Sequence, residues 1–520
     1  MKIKFIKYLS YLLLLSPAVV CAKQINLDEV SNLPAAWRLN FELVNMPDTN
    51  ERKMGLLGIN YLVDLQKWLY AGVAGYGAVV GERGGLFTLG LETGIKIAIF
   101  PDIFIDGGIY AGGGGGKTAL VGGGLMLRPH VGMAYGFEYF KVGVDASKVD
   151  FPNGSINSNQ IAVNLEIPTE ITYAATPRDH RLDHVVYTDN KAEPYFDFNK
   201  YYISALGQAY FQSGSTDDQG KKDTSTLQLV GIEAGRFFSP FWFGFIKAAG
   251  AFAGQHNGYM DVLGGFGGHY AIPAIPKVAV NGRMAVGMGG GGNVDTGGGL
   301  LLEPSIGLQY QFMPSLSAEV AGGFIGAPDG KFHAYTVTGK LSYAMLLGDT
   351  ETQPTTAHFM EEYYLQSWRI NIFNQTYFKP QRKGVENTNR SVNLVGVKID
   401  DFVASNFYLS GQAASAYSGD AGGYSSGMLG VGWLTDPFFA DKVNASAEVL
   451  FGAGGGGGLN VSGGAIVNPA LGLHYNFSRY IAASATAGRI ISVGGGKLNA
   501  TTLTAGLTFK FATINGKEKQ

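Results

Sequence analysis

One cysteine, Cys21, stands among 520 residues, and it falls within the first 22, so neither disulfides nor thiolate chemistry can organise the rest. Charge is scarce too. Asp, Glu, Lys and Arg make up 15% of the chain and nearly cancel, at a formal net charge of −2, so no nucleic-acid partner is expected. Beyond the N-terminus there is no apolar run of the ~18 residues that a membrane-crossing helix needs. Reactive signatures are missing as well: no Gly-x-Ser-x-Gly elbow, no His-Glu-x-x-His, and no His/Ser/acid group repeated on matching strand ends. No catalytic residue, cofactor or metal ligand is therefore assigned, and a lipid-modifying enzyme is the least favoured class.

What is present begins with an export signal. Lys2, Lys4 and Lys7 precede the apolar run "YLLLLSPAVV" and Val20-Cys21-Ala22, which fits cleavage after residue 22. A lipid anchor on Cys21 is the rival, but Val20 is large for that role. Glycine is abundant at 77 residues, aromatics reach 12%, and mean hydropathy is slightly positive at +0.07. An exported chain this apolar, without membrane helices, must hide its hydrophobicity by period-2 alternation.

The chain also repeats itself. "LLGIN" at 56–60, "LVGIE" at 229–233 and "LVGVK" at 394–398 share Gly58, Gly231 and Gly396. Glycine runs begin at Gly112, Gly289 and Gly454, and each is followed by a related segment at 125–137, 300–312 and 465–477. The offsets are 173, 177 and 175 residues from first to second copy, and 165 throughout from second to third. The entry strands "WRLNF" at 37–41 and "WRINI" at 368–372 echo one another.

In the first copy Leu125, Leu127, Pro129, Val131, Met133, Tyr135 and Phe137 alternate with small or polar residues through 13 positions. That exceeds the ~5–6 residues of an ordinary strand and matches the ~9–11 that cross a bilayer when tilted. Pro129, Pro304 and Pro469 each remove a ladder donor there, and a bulge is expected. The second unit parses into eight such strands, with long and short connections alternating, and the other units follow it.

The final strand, Leu503 to Phe511, resembles the aromatic-ended closing strand of Gram-negative outer-membrane β-barrels, and the resemblance covers essentially the whole mature chain. It implies outer-membrane lipid and lipopolysaccharide as surroundings, Sec export, and insertion by the barrel-assembly machinery; it implies no site residues.

"AGGGGGKT" at 111–118 fits a loose phosphate-loop pattern, but "GMGGGGNV" (287–294) and "GAGGGGGL" (452–459) lack Lys-Thr, so the glycines are expected in close-packed strand ends and flexible external loops. "RDHRLDH" offers His180 and His184 beside Asp179 and Asp183 to a metal, although a solvated connector is the stronger expectation. Inward charges (Arg38, Glu42, Glu92, Lys96, Arg128, Glu303) with His130 and His474 are expected to form lumen ion pairs, with a proton relay or substrate site as the alternative.

The expected fold is all-β: a transmembrane, antiparallel, up-and-down β-barrel protein of three homologous eight-stranded repeats at 23–175, 200–347 and 367–511, joined by linkers 176–199 and 348–366, with a tail at 512–520. Three tandem eight-stranded barrels are favoured over one barrel of about 24 strands, both inside the known size range. Tandem barrels imply a structural or surface-interaction role through glycine-rich external loops; one large barrel implies a pore for solute uptake or polymer export.

Overall fold

The computed structural model describes residues 30–116, 119–175, 184–186, 195–217, 219–351, 362–384 and 390–516. The expected signal segment, Lys117 and Thr118, and Asp179, His180 and Asp183 lie outside them.

The described residues are all-β and antiparallel, apart from one turn of 3-10 helix at Ala119–Val121. The first strands are β1 (Val30–Val44), β2 (Met54–Gln66), β3 (Leu69–Val80), β4 (Phe87–Phe100), β5 (Ile103–Gly115), β6 (Met126–Gly136), β7 (Lys141–Asp150), β8 (Asn157–Ala174) and the short β9 (His184–Val186). Next come β10 (Tyr195–Gln212), the short pair β11 (Ser215–Thr216) and β12 (Lys222–Asp223), β13 (Thr226–Phe237), β14 (Trp242–Ala253), β15 (Met260–Ala271), β16 (Val278–Gly290), β17 (Leu300–Met313), β18 (Leu316–Gly326) and β19 (His333–Glu351). The last are β20 (Glu362–Phe378), β21 (Val392–Phe402), β22 (Phe407–Ser418), β23 (Ser425–Leu434), β24 (Val443–Gly455), β25 (Ala465–Asn476), β26 (Ile481–Ser492) and β27 (Asn499–Gly516).

Pairing decides between one ring and several. Each long strand pairs with the next, but β8 turns back to β1 from Ala162 to Ala174, β19 pairs with β10, and β27 with β20. Eight strands thus close on themselves in each case, and β8 makes no ladder with β10 among the described residues. A single large ring would need that ladder.

Alternation builds two unlike surfaces. On β6, Met126, Arg128 and His130 are buried inward, while Val131, Met133 and Tyr135 stand exposed outward. The short turns carry exposed aromatics such as Tyr139, Phe241 and Phe439, the pattern of an interfacial girdle at the short-turn end.

Several expectations are corrected. The prolines cause no bulge: the β6–β7 ladder lapses between Leu127 and His130 and resumes in the same register opposite Ser147, and the β17–β18 and β25–β26 ladders do likewise. The missing donor costs pairing rows without changing the residue count. "WRLNF" and "WRINI" are not equivalent either, because Arg38 pairs with Asn60 whereas the residue in that register on β20 is Asn371, opposite Lys398. A two-residue slip preserves the inward face, so alternation could not reveal it. The expected tail continues β27 to Gly516, where Ala512 meets Ala174 of β8, and Asn515 and Gly516 meet β19. The boundary expected at residue 200 is preceded by strand from Tyr195, and β19 runs on to Glu351.

Candidate functional site

The interiors come first, since a pore or a catalytic site would lie there. In the first ring Arg38 Nη2 reaches Asp106 at 2.9 Å and Glu166 at 2.8 Å, and Nη1 lies 3.5 Å from Glu92. Lys96 and Lys141 approach the other Glu166 oxygen at 3.1 and 2.8 Å, and His130 Nε2 lies 2.8 Å from Asp106. Nearer the other end, Arg128 Nε donates to Glu42 at 2.6 Å, with Ser147 and Gln160 on the second oxygen.

The second ring is filled by Lys247 on Glu303, Lys340 on Glu233 and Arg283 on Glu319. The third uses Arg369 on Asp400 and Lys398 on Glu448, with the Arg369 guanidinium 4.6 Å from the Tyr408 ring centre; His474 bonds Ser446 at 3.0 Å. A gap in ring two between Glu233, Lys247 and Glu303 is about 10 Å³, room for about one water.

Register shows that these groups are not one site repeated. Arg128, Glu303 and Asn468 occupy one position, each two residues short of a β6-, β17- or β25-type register point at His130, Ser305 and Ala470. Asn60, Glu233 and Lys398 occupy another. A cation, an anion and an amide interchange at fixed places, which suits space filling under charge balance better than shared chemistry.

The glycine runs form the second feature: they are the close-packed strand ends of β5, β16 and β24 that the sequence leads us to expect, rather than external loops. Gly114 N donates to Gly124 O, Gly289 N to Gly299 O and Gly454 N to Gly464 O, each within its own ring. This fixes the first-to-second offset at 175 rather than the 177 read from the run starts, because identical residues carry no register. Gly112–Gly115, Gly287–Gly290 and Ala453–Gly455 are buried. Their own ring covers Gly112, Gly114, Gly287, Gly289 and Gly454, and the neighbouring ring covers Gly113, Gly115, Gly290 and Gly455.

A Cβ on Gly290 would stand 2.6 Å from Gly85 N, one on Gly455 2.3 Å from Gly258 N, and one on Gly115 2.9 Å from Gly423 N. Gly85, Gly258 and Gly423 share φ of +86°, +93° and +88°, a conformation only glycine adopts freely. Ring two thus docks on ring one, three on two, and one on three, and Gly423 N completes the last contact by donating to Gly114 O at 2.9 Å. Beside these, Met288 packs on Gly77, Ala453 on Gly250, and Gly113 against the Ser415 backbone, the largest side chain opposite no side chain at all. Small residues permit such close backbone approach where no water drives association. The phosphate-loop reading fails on the same geometry: an antiparallel β5 feeds three residues of 3-10 helix, not an α-helix.

A third cluster lies in the outer connections of ring two. His256 Nε2 is 2.6 Å from Ser225 Oγ and 2.9 Å from Asp223 Oδ2, while Nδ1 lies 2.8 Å from Gly292 O. Serine and carboxylate share one ring nitrogen, whereas a triad places them on opposite nitrogens. The imidazole instead pins the glycine run. Burial pushes the Asp223 carboxyl up, but hydrogen bonds from the Ser225 backbone and side chain and from Gln212, with the His256 charge, outweigh it and hold it below the usual range. A depressed folded-state value means that its stabilisation is complete above the unfolded-state value and is lost as pH falls through the folded one. Asp223→Asn is therefore expected to lower the denaturant midpoint at pH 7, and the gap from the parent to close at the acid end of a pH series of unfolding curves.

Of the proposed metal ligands only His184 falls in a described segment, where β9 pairs with Glu362–Tyr364.

No family model matches the chain, and no curated protein matches it. Among solved structures it is similar to a mutant ferric enterobactin receptor from Pseudomonas aeruginosa in complex with enterobactin, at 10% identity, 94% of this chain, 82% of that chain and a TM-score of 0.27. The siderophore receptor PirA from Pseudomonas aeruginosa gives 8%, 92%, 80% and 0.26, and OccK11 from Pseudomonas aeruginosa 11%, 94%, 98% and 0.20. These are Gram-negative outer-membrane β-barrel proteins. Likeness at this level assigns no function.

Proposed function

We propose that the chain is an integral outer-membrane protein built as three separately closed eight-stranded barrels from a triplicated unit, and that its role is structural and non-conducting. The glycine collar makes the three barrels one body, and the remaining outer connections form its surface. The observation that carries this reading is the filled interior, with buried ion pairs in every ring and room for about one water between Glu233, Lys247 and Glu303 of ring two. An eight-stranded barrel has an interior that side chains can fill, whereas a pore needs a hydrated lumen. Interchange of charge types at fixed positions supports a non-catalytic interior as well. In planar bilayers the purified protein is expected to give no stable conductance steps; large, persistent steps would reinstate a pore for solute uptake or polymer export.

A further inference from the structure

The three outer rims share one backbone plan but not one charge. Around the third ring stand Lys379, Arg382, Lys383, Arg390, Arg489 and Lys497, against the single described acid Asp420. On the first rim Arg52 reaches Asp329, Arg83 is tied to Glu51, and Lys148 lies 3.7 Å from Asp150. On the second, Lys221 and Lys222 stand between Asp217 and Asp223. Arg390 pairs with Asp420, and Arg382 bonds the Gly419 and Asp420 carbonyls. Lys379, Arg489 and Lys497 are exposed and have no carboxylate partner among the described residues.

Register gathers these three at one seam. Arg489 on β26 lies opposite Thr501 on β27, which lies opposite Phe378 on β20, the neighbour of Lys379. Strands ~4.8 Å apart put the two cations' strands ~10 Å from each other. Lys497 belongs to the same seam by its place in the connection from β26 to β27, where its backbone N donates to Asn460 Oδ1 at 3.2 Å. Beneath the row the outward face of β27 is apolar, with Leu503, Leu507 and Phe509 exposed. The equivalent row of ring two is Phe324, Tyr335 and Phe211, and that of ring one begins with the paired Lys148. A cationic head above an apolar stripe, at the long-connection end, fits an acyl chain lipid with a multiply phosphorylated headgroup.

We propose that the β26–β27–β20 seam binds the lipid A moiety of lipopolysaccharide, its phosphates on Lys379, Arg489 and Lys497 and its acyl chains along Leu503, Leu507 and Phe509. This rests on the membrane reading above. It makes the body asymmetric in its lipid contacts despite three similar barrels.

The test uses the full protein in phosphatidylcholine nanodiscs, with bisphosphorylated lipid A, dephosphorylated lipid A, phosphatidylglycerol and soluble polyphosphate as probes. The parent is expected to bind bisphosphorylated lipid A at least tenfold more tightly than the dephosphorylated form. The triple variant Lys379→Gln/Arg489→Gln/Lys497→Gln is expected to lose that preference, and Lys148→Gln to keep it. Equal binding by parent and triple variant overturns the site, as does equal binding of dephosphorylated lipid A, or a preference for phosphatidylglycerol or polyphosphate. Heat-modifiable migration is read on the same samples: a parent that never folds into bilayers defeats the membrane reading itself, whereas folded barrels indifferent to lipid A defeat only the seam.

Discussion

Gly290→Val is expected to open the contact between the first two rings while leaving both rings folded. Labels on cysteines placed at Asp48 and Lys331, exposed on the two rims, should report a single narrow distance in the parent and a broad, longer one in the variant. The cause is steric and local. A side chain at Gly290 would press on Gly85 N at 2.6 Å and Gly84 C at 2.9 Å, and backbone atoms cannot rotate away. Overpacking of this kind costs about 1–3 kcal/mol. The φ of +146° at Gly290 adds strain of the same order, about 1–3 kcal/mol for a side-chain-bearing residue.

The collar is cyclic, so the variant keeps the contacts of ring three with both its neighbours, and the body should splay rather than scatter. Gly282→Val is the control, since nothing lies within 4 Å of a Cβ there and its φ is not positive; its labels should give the parent distance. A narrow parent-like distance in Gly290→Val would mean that the collar is not what holds the rings together.

How much of this was legible in the sequence follows from the range of each signal. Alternation is local, so all eight strands of the second unit were expected within a few residues, and Arg38, Glu42, Arg128 and Glu303 were placed inward, where they are buried. Repeat offsets survived where a lone glycine is flanked by distinctive side chains, as at Gly58, Gly231 and Gly396. They slipped where residues were identical, as in the glycine run, or where a two-residue shift left the faces unchanged, as at Arg38 and Arg369. The destination of the glycines was not legible, because their partners Gly85, Gly258 and Gly423 come from elsewhere in the chain and in two cases from an earlier unit. Closure into three rings could be favoured but not demonstrated, for a similar reason: β8 would look the same pairing with β1 or with β10. The basic rim was hidden by averaging, since a net −2 over 520 residues conceals a cluster confined to one end of one ring.

Arg38→Met should cost about 3–5 kcal/mol, because removing one partner strands buried charges that the other had compensated. Three carboxylates converge on this guanidinium. Glu166 would retain Lys96 and Lys141, and Asp106 would retain Tyr70 and His130, but Glu92 would be left with hydrogen bonds from Asn60 at 2.7 Å and Tyr76 at 3.1 Å. Arg369→Met is the instructive comparison. Its partner Asp400 keeps a hydrogen bond from Ser410 and a cation, Lys398, at 3.9 Å, so fewer stranded charges should mean a smaller loss, nearer about 2 kcal/mol.

Adding Glu92→Gln and Asp106→Asn to Arg38→Met should recover most of the deficit, since the carboxylates that lose most with Arg38 are then neutral, Glu166 keeps Lys96 and Lys141, and replacing a buried ion pair as a whole can be nearly neutral. Denaturant midpoints of the heat-modifiable band in detergent give the order directly: parent, then the triple variant, then Arg369→Met, with Arg38→Met lowest. An Arg38→Met midpoint equal to the parent's would show that the interior is hydrated enough to screen its charges, and the filled-barrel reading would fall with it.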